Sequence, residues 1–133
     1  MNFKVRKVKI EHIAVASNSE ADSDKFFMEL LGLNKARSFI VSADKMVKFF
    51  GVNKDQNFIR YENMNFGVEV IITEDYSKSK DIYTHPCLII EERDKLIEKA
   101  QELEFPVIKV PRDDGSGYYL FIKDNYDNLY EIK

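Results

Sequence analysis

The chain has 133 residues, of which 44% are apolar and 13% aromatic, and 20 Lys plus Arg stand against 23 Asp plus Glu. This length suits one domain or two small modules that share a core. The formal net charge of −3 argues against a surface for nucleic acids or other polyanions. No apolar run is long enough for a signal peptide or a membrane span, so we expect a cytoplasmic protein without a membrane partner.

The single cysteine, Cys87, has no second thiol with which to form an internal disulfide. It lies in an apolar run, which predicts a small buried side chain rather than a nucleophile. A chain without disulfides fits a reducing compartment.

The first half of the chain begins with a strand pattern that contains a histidine. Apolar and β-branched residues alternate over about residues 8–17, which places His12 on one face and Ile13 and Val15 on the other. Small residues beside His12 leave space above its face. A helix is predicted next, with N-cap candidates at 17–19, and its apolar stripe should pack on the face of Ile13. The stripe consists of Phe27, Leu30 and Leu31, and Gly32 follows as a helix-ending residue.

Three further strands and a helical insertion complete this half. The patterns predict strands at about 36–41, 57–62 and 66–73 and a short helix within 42–51. In the last strand, Glu69 occupies a position where a half-buried strand would usually carry an apolar residue.

The second half repeats the order of the first. A polar segment at about 74–82 predicts a linker. The elements predicted after it are a strand at 84–90, a helix at 92–104, and strands at 107–110, 118–123 and 128–132. The order β-α-β-β-β in each half predicts a duplicated module, with module 1 at about 8–73 and module 2 at about 83–133.

The repeat places similar polar residues at equivalent positions. The only two histidines, His12 and His85, fall in the first strand of each module, and Glu69 and Glu131 fall in the last strands. A lone histidine in a strand is more often structural, and a lone glutamate near a strand end is more often solvated. The recurrence of both residue types favours one shared site.

Three stretches resemble the vicinal oxygen chelate superfamily, which includes glyoxalase I, methylmalonyl-CoA epimerase, extradiol dioxygenases and the fosfomycin and bleomycin resistance proteins. They are residues 11–15 leading to 26–33, residues 85–88 leading to a helix, and residues 121–131. The resemblance implies an α+β fold in which two tandem βαβββ modules form a half-open mixed β-barrel within a single glyoxalase-like domain, 1–133.

The closing turn and the insertion depart from the superfamily pattern. Asn125 stands where a proline is usual, and Asp127 stands where a glycine is usual. Asp and Asn tolerate the left-handed conformation, so the turn is expected to form. The insertion at 42–51 is unusual and is expected to reshape the mouth of the pocket.

In members that resemble glyoxalase I, the first and last strands of each module supply metal ligands, which correspond here to His12, Glu69, His85 and Glu131. The resemblance therefore implies a divalent ion, Ni, Co, Zn, Mn or Fe, held by two imidazoles and two carboxylates. Such an ion polarises a chelated carbonyl of a small-molecule substrate, and Glu131 or Glu69 moves the proton. The expected activity is that of a metal-dependent lyase or isomerase similar to glyoxalase I or methylmalonyl-CoA epimerase.

Several alternatives stay open at this point. A three-ligand dioxygenase or thiol transferase of the same superfamily needs only two histidines and one glutamate, and Glu69 would then border the cavity or pair with Arg60. A non-catalytic binding protein similar to the bleomycin resistance proteins would lack the metal ion. Members commonly form dimers, and we expect a homodimer, with the barrel closing either within one chain or between two.

Overall fold

The computed structural model describes residues 6–75 and 81–133. They form two four-stranded mixed sheets and three helices, which confirms the predicted α+β class. Part of the predicted linker, residues 76–80, lies outside the described residues. None of the helices in the described ranges combines the length and apolarity that crossing a bilayer requires.

The first module is a sheet with the strand order β1-β4-β3-β2. Strand β1 runs parallel to β4, and the other neighbours are antiparallel. The strands are β1 (Ile13–Ser17), β2 (Asn34–Val41), β3 (Gln56–Glu62) and β4 (Gly67–Ile72). The helices are α1 (Glu20–Asp24), which is capped by Ser19 and continues as a π-helical segment (Lys25–Leu30), and α2 (Ala43–Phe50), the predicted insertion.

The second module repeats this arrangement with the order β5-β8-β7-β6. Strand β5 runs parallel to β8, as β1 does to β4. The elements are β5 (Cys87–Leu88), α3 (Arg93–Glu102), β6 (Val107–Pro111), β7 (Tyr118–Lys123) and β8 (Leu129–Ile132). The two sheets thus have matching strand orders and directions, as the repeat in the sequence predicts.

The first strand of each module is shorter than predicted. Strand β1 begins at Ile13 rather than near residue 8, because it pairs only with β4 and the first pair in that register is Ile13 with Val68. Strand β5 contains only Cys87 and Leu88, since the preceding Pro86 has no N–H to add to the ladder. Both histidines therefore lie just before their strands.

One hydrophobic core joins the two modules. Its buried residues come from both sheets, from the π-helical segment and from α3. The ring of Phe26 in module 1 lies 4.8 Å from that of Tyr130 in module 2, measured between centroids. The predicted helix stripe is confirmed: Phe27 and Leu30 are buried in this core, and Ile13 packs against it.

Strand alternation turns the predicted site residues away from that core. Val68 and Val70 are buried in it, so Glu69 between them lies on the opposite face of the first sheet. Tyr130 and Ile132 flank Glu131 in the same way in the second sheet. We call these opposite faces the outer faces of the sheets.

The prediction that Cys87 is buried is wrong, because this cysteine is exposed. Cys87 pairs with Glu131, whereas Leu88 pairs with Ile132. Alternation therefore directs Leu88 to the core and leaves Cys87 on the outer face of an edge strand.

The closing turn links the two modules. Asp127 adopts a φ of 62°, the left-handed conformation expected at this position. The side-chain amide of Asn128 donates to the carbonyl oxygen of Ala16 at 2.8 Å and to the carboxylate of Asp124 at 3.0 Å. Burial raises the pKa of Asp124, although its carboxylate also accepts hydrogen bonds from Tyr130 and from backbone amides. The turn thus ties β8 to the end of β1.

Replacing Asn128 with alanine removes both side-chain hydrogen bonds and leaves the acceptors at Ala16 and Asp124 without this donor. We expect Asn128→Ala to lower the free energy of unfolding by about 1–3 kcal/mol in urea denaturation. The exposed Asn53→Ala should change it by less than about 0.5 kcal/mol. Equal effects of the two substitutions would contradict the linking role of Asn128.

Candidate metal centre

The first pair of predicted ligands meets on the outer face of the first sheet. His12 Nε2 lies 3.7 Å from Glu69 Oε1, and the side chains are 35% and 16% exposed. Glu69 is held by the middle of β4, and His12 is the residue before β1, which runs beside β4. The parallel pairing of the two strands thus brings the imidazole to the carboxylate.

The second pair repeats this geometry in the other sheet. His85 Nε2 lies 3.5 Å from Glu131 Oε1, and the side chains are 31% and 19% exposed. The rings of His85 and Phe121 contact each other in an edge-to-face arrangement, with their centroids 5.5 Å apart. Each predicted histidine is therefore close to the predicted glutamate of its own module.

Both imidazoles have an acceptor beside Nδ1. The carboxylate of Glu11 contacts Nδ1 of His12, and the carbonyl oxygen of Tyr83 lies 2.7 Å from Nδ1 of His85. An acceptor at this atom places the ring proton on Nδ1, so in the neutral ring the lone pair is on Nε2. Metal-binding histidines usually have this arrangement, in which the ring nitrogen that does not bind the metal donates its N–H to a carboxylate or a backbone carbonyl.

The donor chemistry and spacing of each pair fit a divalent ion. Nitrogen and oxygen ligands lie about 2.0–2.2 Å from zinc, so two of them on one ion are roughly 3–3.5 Å apart. The separations of 3.7 Å and 3.5 Å are close to this range. They are long for a hydrogen bond between the same atoms. Each pair therefore offers one nitrogen and one oxygen to a cation.

The four predicted ligands do not form one cage in a single chain. Among residues 6–75 and 81–133, no group of three or more His, Cys, Asp or Glu side chains is arranged to hold a metal ion. The structure brings together His12 with Glu69 and His85 with Glu131, as two pairs.

A buried arginine lies beside the first pair. Arg60 is 8% exposed and bonds three carboxylates. Its Nη1 donates to Glu69 Oε2 at 3.2 Å, its Nε donates to Glu62 at 2.9 Å, and its two terminal nitrogens donate to the two oxygens of Glu11 at 2.7 Å and 3.2 Å. Glu69 therefore shares its two oxygens between Arg60 and the space next to His12.

These contacts shift the protonation equilibria of two members of the network. Hydrogen bonds from Arg60 and then His12 lower the pKa of Glu11 to about 2. Hydrogen bonds to Glu11 and then to Glu62 raise the pKa of Arg60, although burial opposes this. Both groups are therefore charged at neutral pH.

Gly67 provides the surface on which Arg60 rests. A Cβ atom at Gly67 would lie 2.5 Å from Nη2 and 2.9 Å from Cζ of Arg60. A side chain at this position would force the guanidinium to move from its observed place. Neither this role of Gly67 nor the role of Glu11 was predicted from the sequence; a glutamate directly before the histidine was the available signal for the latter.

A cavity of about 470 Å³ opens beside the second histidine. It is lined by residues of both modules: by β1, by the segment before β5 and by the closing turn. They include Ala14, Ala16, Thr84, His85, Pro86 and Asn128. The cavity reaches the small residues of β1, but His12, above whose face the space was expected, is not among the residues that line it.

Gly67→Ala tests whether the guanidinium is seated as described. We expect this substitution to lower the free energy of unfolding by about 1–3 kcal/mol, because the new methyl group displaces Arg60 from its carboxylates. In an Arg60→Ala background the same substitution should be neutral or stabilise by up to about 1 kcal/mol, since alanine is otherwise favoured over glycine within a strand. Urea unfolding of the original chain, the two single variants and the double variant measures the effect of Gly67→Ala in both backgrounds. An equal effect in the two backgrounds would contradict the described contact between Gly67 and the guanidinium.

No protein-family model and no curated protein sequence matches the chain. Among solved structures, the fosfomycin resistance protein FosX from Listeria monocytogenes matches with a TM-score of 0.69 and 16% identity, over 96% of this chain and 93% of that one. A glyoxalase family protein from Enterococcus faecalis also matches with a TM-score of 0.69 and 16% identity, over 93% and 95% of the two chains. A glyoxalase family protein from Bacillus anthracis matches with a TM-score of 0.65 and 15% identity, over 98% and 97%.

Metal-bound structures are among the matches. The Listeria monocytogenes protein has been solved with Mn(II) and sulfate, and a glutamate-to-glutamine mutant of it with Mn(II) and 1S,2S-dihydroxypropylphosphonic acid. At these identities the matches establish a shared fold, and they confirm the predicted glyoxalase-like architecture.

Proposed function

We propose that this chain, which has the fold of the vicinal oxygen chelate superfamily, is a metal-dependent enzyme that acts on a small molecule. The observation that carries the proposal is the matched geometry of the two His–Glu pairs. In both pairs Nδ1 faces an acceptor, and Nε2 faces a carboxylate at 3.5–3.7 Å. A purely structural role for the two histidines does not explain why both modules have the same arrangement. The Mn(II) in solved structures of the same fold supports the choice of a divalent ion.

We further propose that two copies of the chain complete each site. His12 and Glu69 of one copy would face the partner's His85 and Glu131. Both pairs lie on outer faces, which point away from the core of their own chain. These faces and their edges carry exposed apolar side chains that a second copy would cover. They include Ile10, Ile89, Ile108, Val110 and Tyr119.

The proposed reaction is the shift of a proton next to a chelated carbonyl, as in a lyase or isomerase. When bound, a divalent ion supplies Lewis acidity that makes such a C–H bond more acidic. The chain supplies the remaining functions. Glu11 and the carbonyl group of Tyr83 orient the imidazoles, and a glutamate at the site accepts the proton and returns it to the neighbouring atom.

A second candidate is a three-ligand enzyme of the same fold, and the bond from Arg60 to Glu69 favours it. A carboxylate that is already paired is a weaker ligand for a cation. Fosfomycin modification belongs among these candidates, since the matching FosX structures are fosfomycin resistance proteins. Turnover of fosfomycin would support the three-ligand enzyme, and turnover of the thiol adduct of a 2-oxoaldehyde would support the lyase or isomerase.

Metal binding is the first experimental test. We expect the apo protein to bind one Mn(II) per chain in calorimetric titration, and chelation to lower its melting temperature. His12→Ala and His85→Ala should each weaken Mn(II) binding at least about 10-fold, because each removes a ligand. The exposed Glu98→Gln serves as a control and should bind as the original chain does. A chain that binds no Mn(II), or whose affinity is the same in all variants, would refute the proposed function.

Mixing two defective variants tests whether the site is shared between copies. Neither His12→Ala nor His85→Ala forms a complete site alone. In a hybrid dimer one of the two shared sites regains both histidines, so random exchange should restore about a quarter of the metal sites. Sites built within one chain would stay defective after mixing. Binding of Mn(II) to the mixture, after mild unfolding and refolding together, gives the answer.

A further inference from the structure

The two glutamates of the site occupy equivalent positions, but their cross-strand neighbours differ. In the register of β3 and β4, Arg60 pairs with Glu69. In the register of β7 and β8, Phe121 pairs with Glu131. The same place in the repeated module therefore holds a cation in one half and an aromatic ring in the other.

This difference determines how freely each carboxylate can donate to a metal ion. Glu69 accepts a charge-assisted hydrogen bond from Arg60 at 3.2 Å, and only its other oxygen faces His12. Arg60 is buried, so this hydrogen bond meets little competition from water and opposes donation by the same oxygen to a cation. Glu69 is therefore a poor fourth ligand.

Glu131 has a different environment. Within the described part of the chain, its one contact at ion-pair distance is to His85. The neighbouring Phe121 packs against the same imidazole, edge to face. Among residues 6–75 and 81–133, no guanidinium lies at ion-pair distance from Glu131, so both of its oxygens are available to a cation.

Arg60 is held in place independently of Glu69. Its two contacts to Glu11 and its contact to Glu62 remain if Glu69 moves, and Gly67 supports the plane of the guanidinium. The guanidinium, with a donor for Glu69, therefore stays beside the first pair. Glu11 also contacts Nδ1 of His12, so the same network orients the imidazole.

We propose that Arg60 is a positioning residue that withholds Glu69 from the metal ion and makes the two halves of the site unequal. His12, His85 and Glu131 are then the strong protein ligands. Glu69 is held at the edge of the site, with one oxygen facing the imidazole of His12. This inference rests on the proposed function, and it assigns different roles to two glutamates that the repeat makes equivalent.

The test is a set of Mn(II) affinities for matched variants, each checked for folding by circular dichroism. Glu69→Gln should change the dissociation constant by less than about 3-fold, whereas Glu131→Gln should weaken binding at least about 10-fold. Arg60→Met should tighten binding at least about 3-fold by releasing Glu69. Adding Glu69→Gln to Arg60→Met should remove that gain, since the two effects are coupled through one contact.

Two further variants keep the test decisive if Arg60→Met does not fold. Arg60→Lys retains the positive charge and should bind Mn(II) as the original chain does. Phe121→Arg places a guanidinium opposite Glu131 and should weaken binding at least about 10-fold. A merely structural role for Arg60 predicts no coupling with Glu69 and no change in the metal affinity of folded variants.

The outcomes separate this inference from the proposal on which it rests. If the original chain binds Mn(II) but Glu69→Gln and Glu131→Gln weaken binding equally, the inference is wrong and the metal centre stands. If folded Arg60→Met binds with unchanged affinity, the inference is again wrong. If the original chain binds no Mn(II), the metal centre and the inference both fail.

Discussion

Strand alternation in two short segments determines where all the chemistry of this protein lies. Val68 and Val70 flank Glu69 in β4, and Tyr130 and Ile132 flank Glu131 in β8. The flanking residues are buried in the shared core, so each glutamate is directed to the outer face of its sheet. A shift of one residue in either register would bury Glu69 or Glu131 and expose the core residues beside it. The free energy of core burial therefore also maintains the geometry of the site.

The histidines obtain their orientation from a different source. His12 and His85 lie before the short strands β1 and β5, so backbone pairing alone does not orient their rings. An acceptor at Nδ1 does so in both modules, but the acceptor is a carboxylate in one and a backbone carbonyl in the other. The modules thus reach the same arrangement of donors with different partners, and within the described residues only the first histidine lies beside an ion-pair network.

The fold and the residue pairs were predictable from the sequence to different extents. The order of elements follows from periodicity. The repeat and the resemblance predicted one site of four residues, and the structure brings these residues together as two His–Glu pairs. The starts of β1 and β5 and the burial of Cys87 were predicted wrongly, because these depend on which strands lie at the sheet edges. The inequality of Glu69 and Glu131 depends on the cross-strand register that places Arg60 beside one and Phe121 beside the other. Both pairs lie in hairpins of consecutive strands, so a contact of Arg60 with Glu69 could be considered from the sequence, but strand periodicity alone does not determine the register of a hairpin.

The central claim is that His12 of one copy and the His85–Glu131 pair of a second copy hold one divalent ion between the outer faces of their sheets. Anomalous diffraction from crystals of the Mn(II)-loaded protein tests it most directly. The account predicts an anomalous peak within bonding distance of Nε2 of His12 in one copy and Nε2 of the partner's His85, with Glu131 of that partner bound as well. A peak remote from both imidazoles, or one bound through Nδ1, would contradict it.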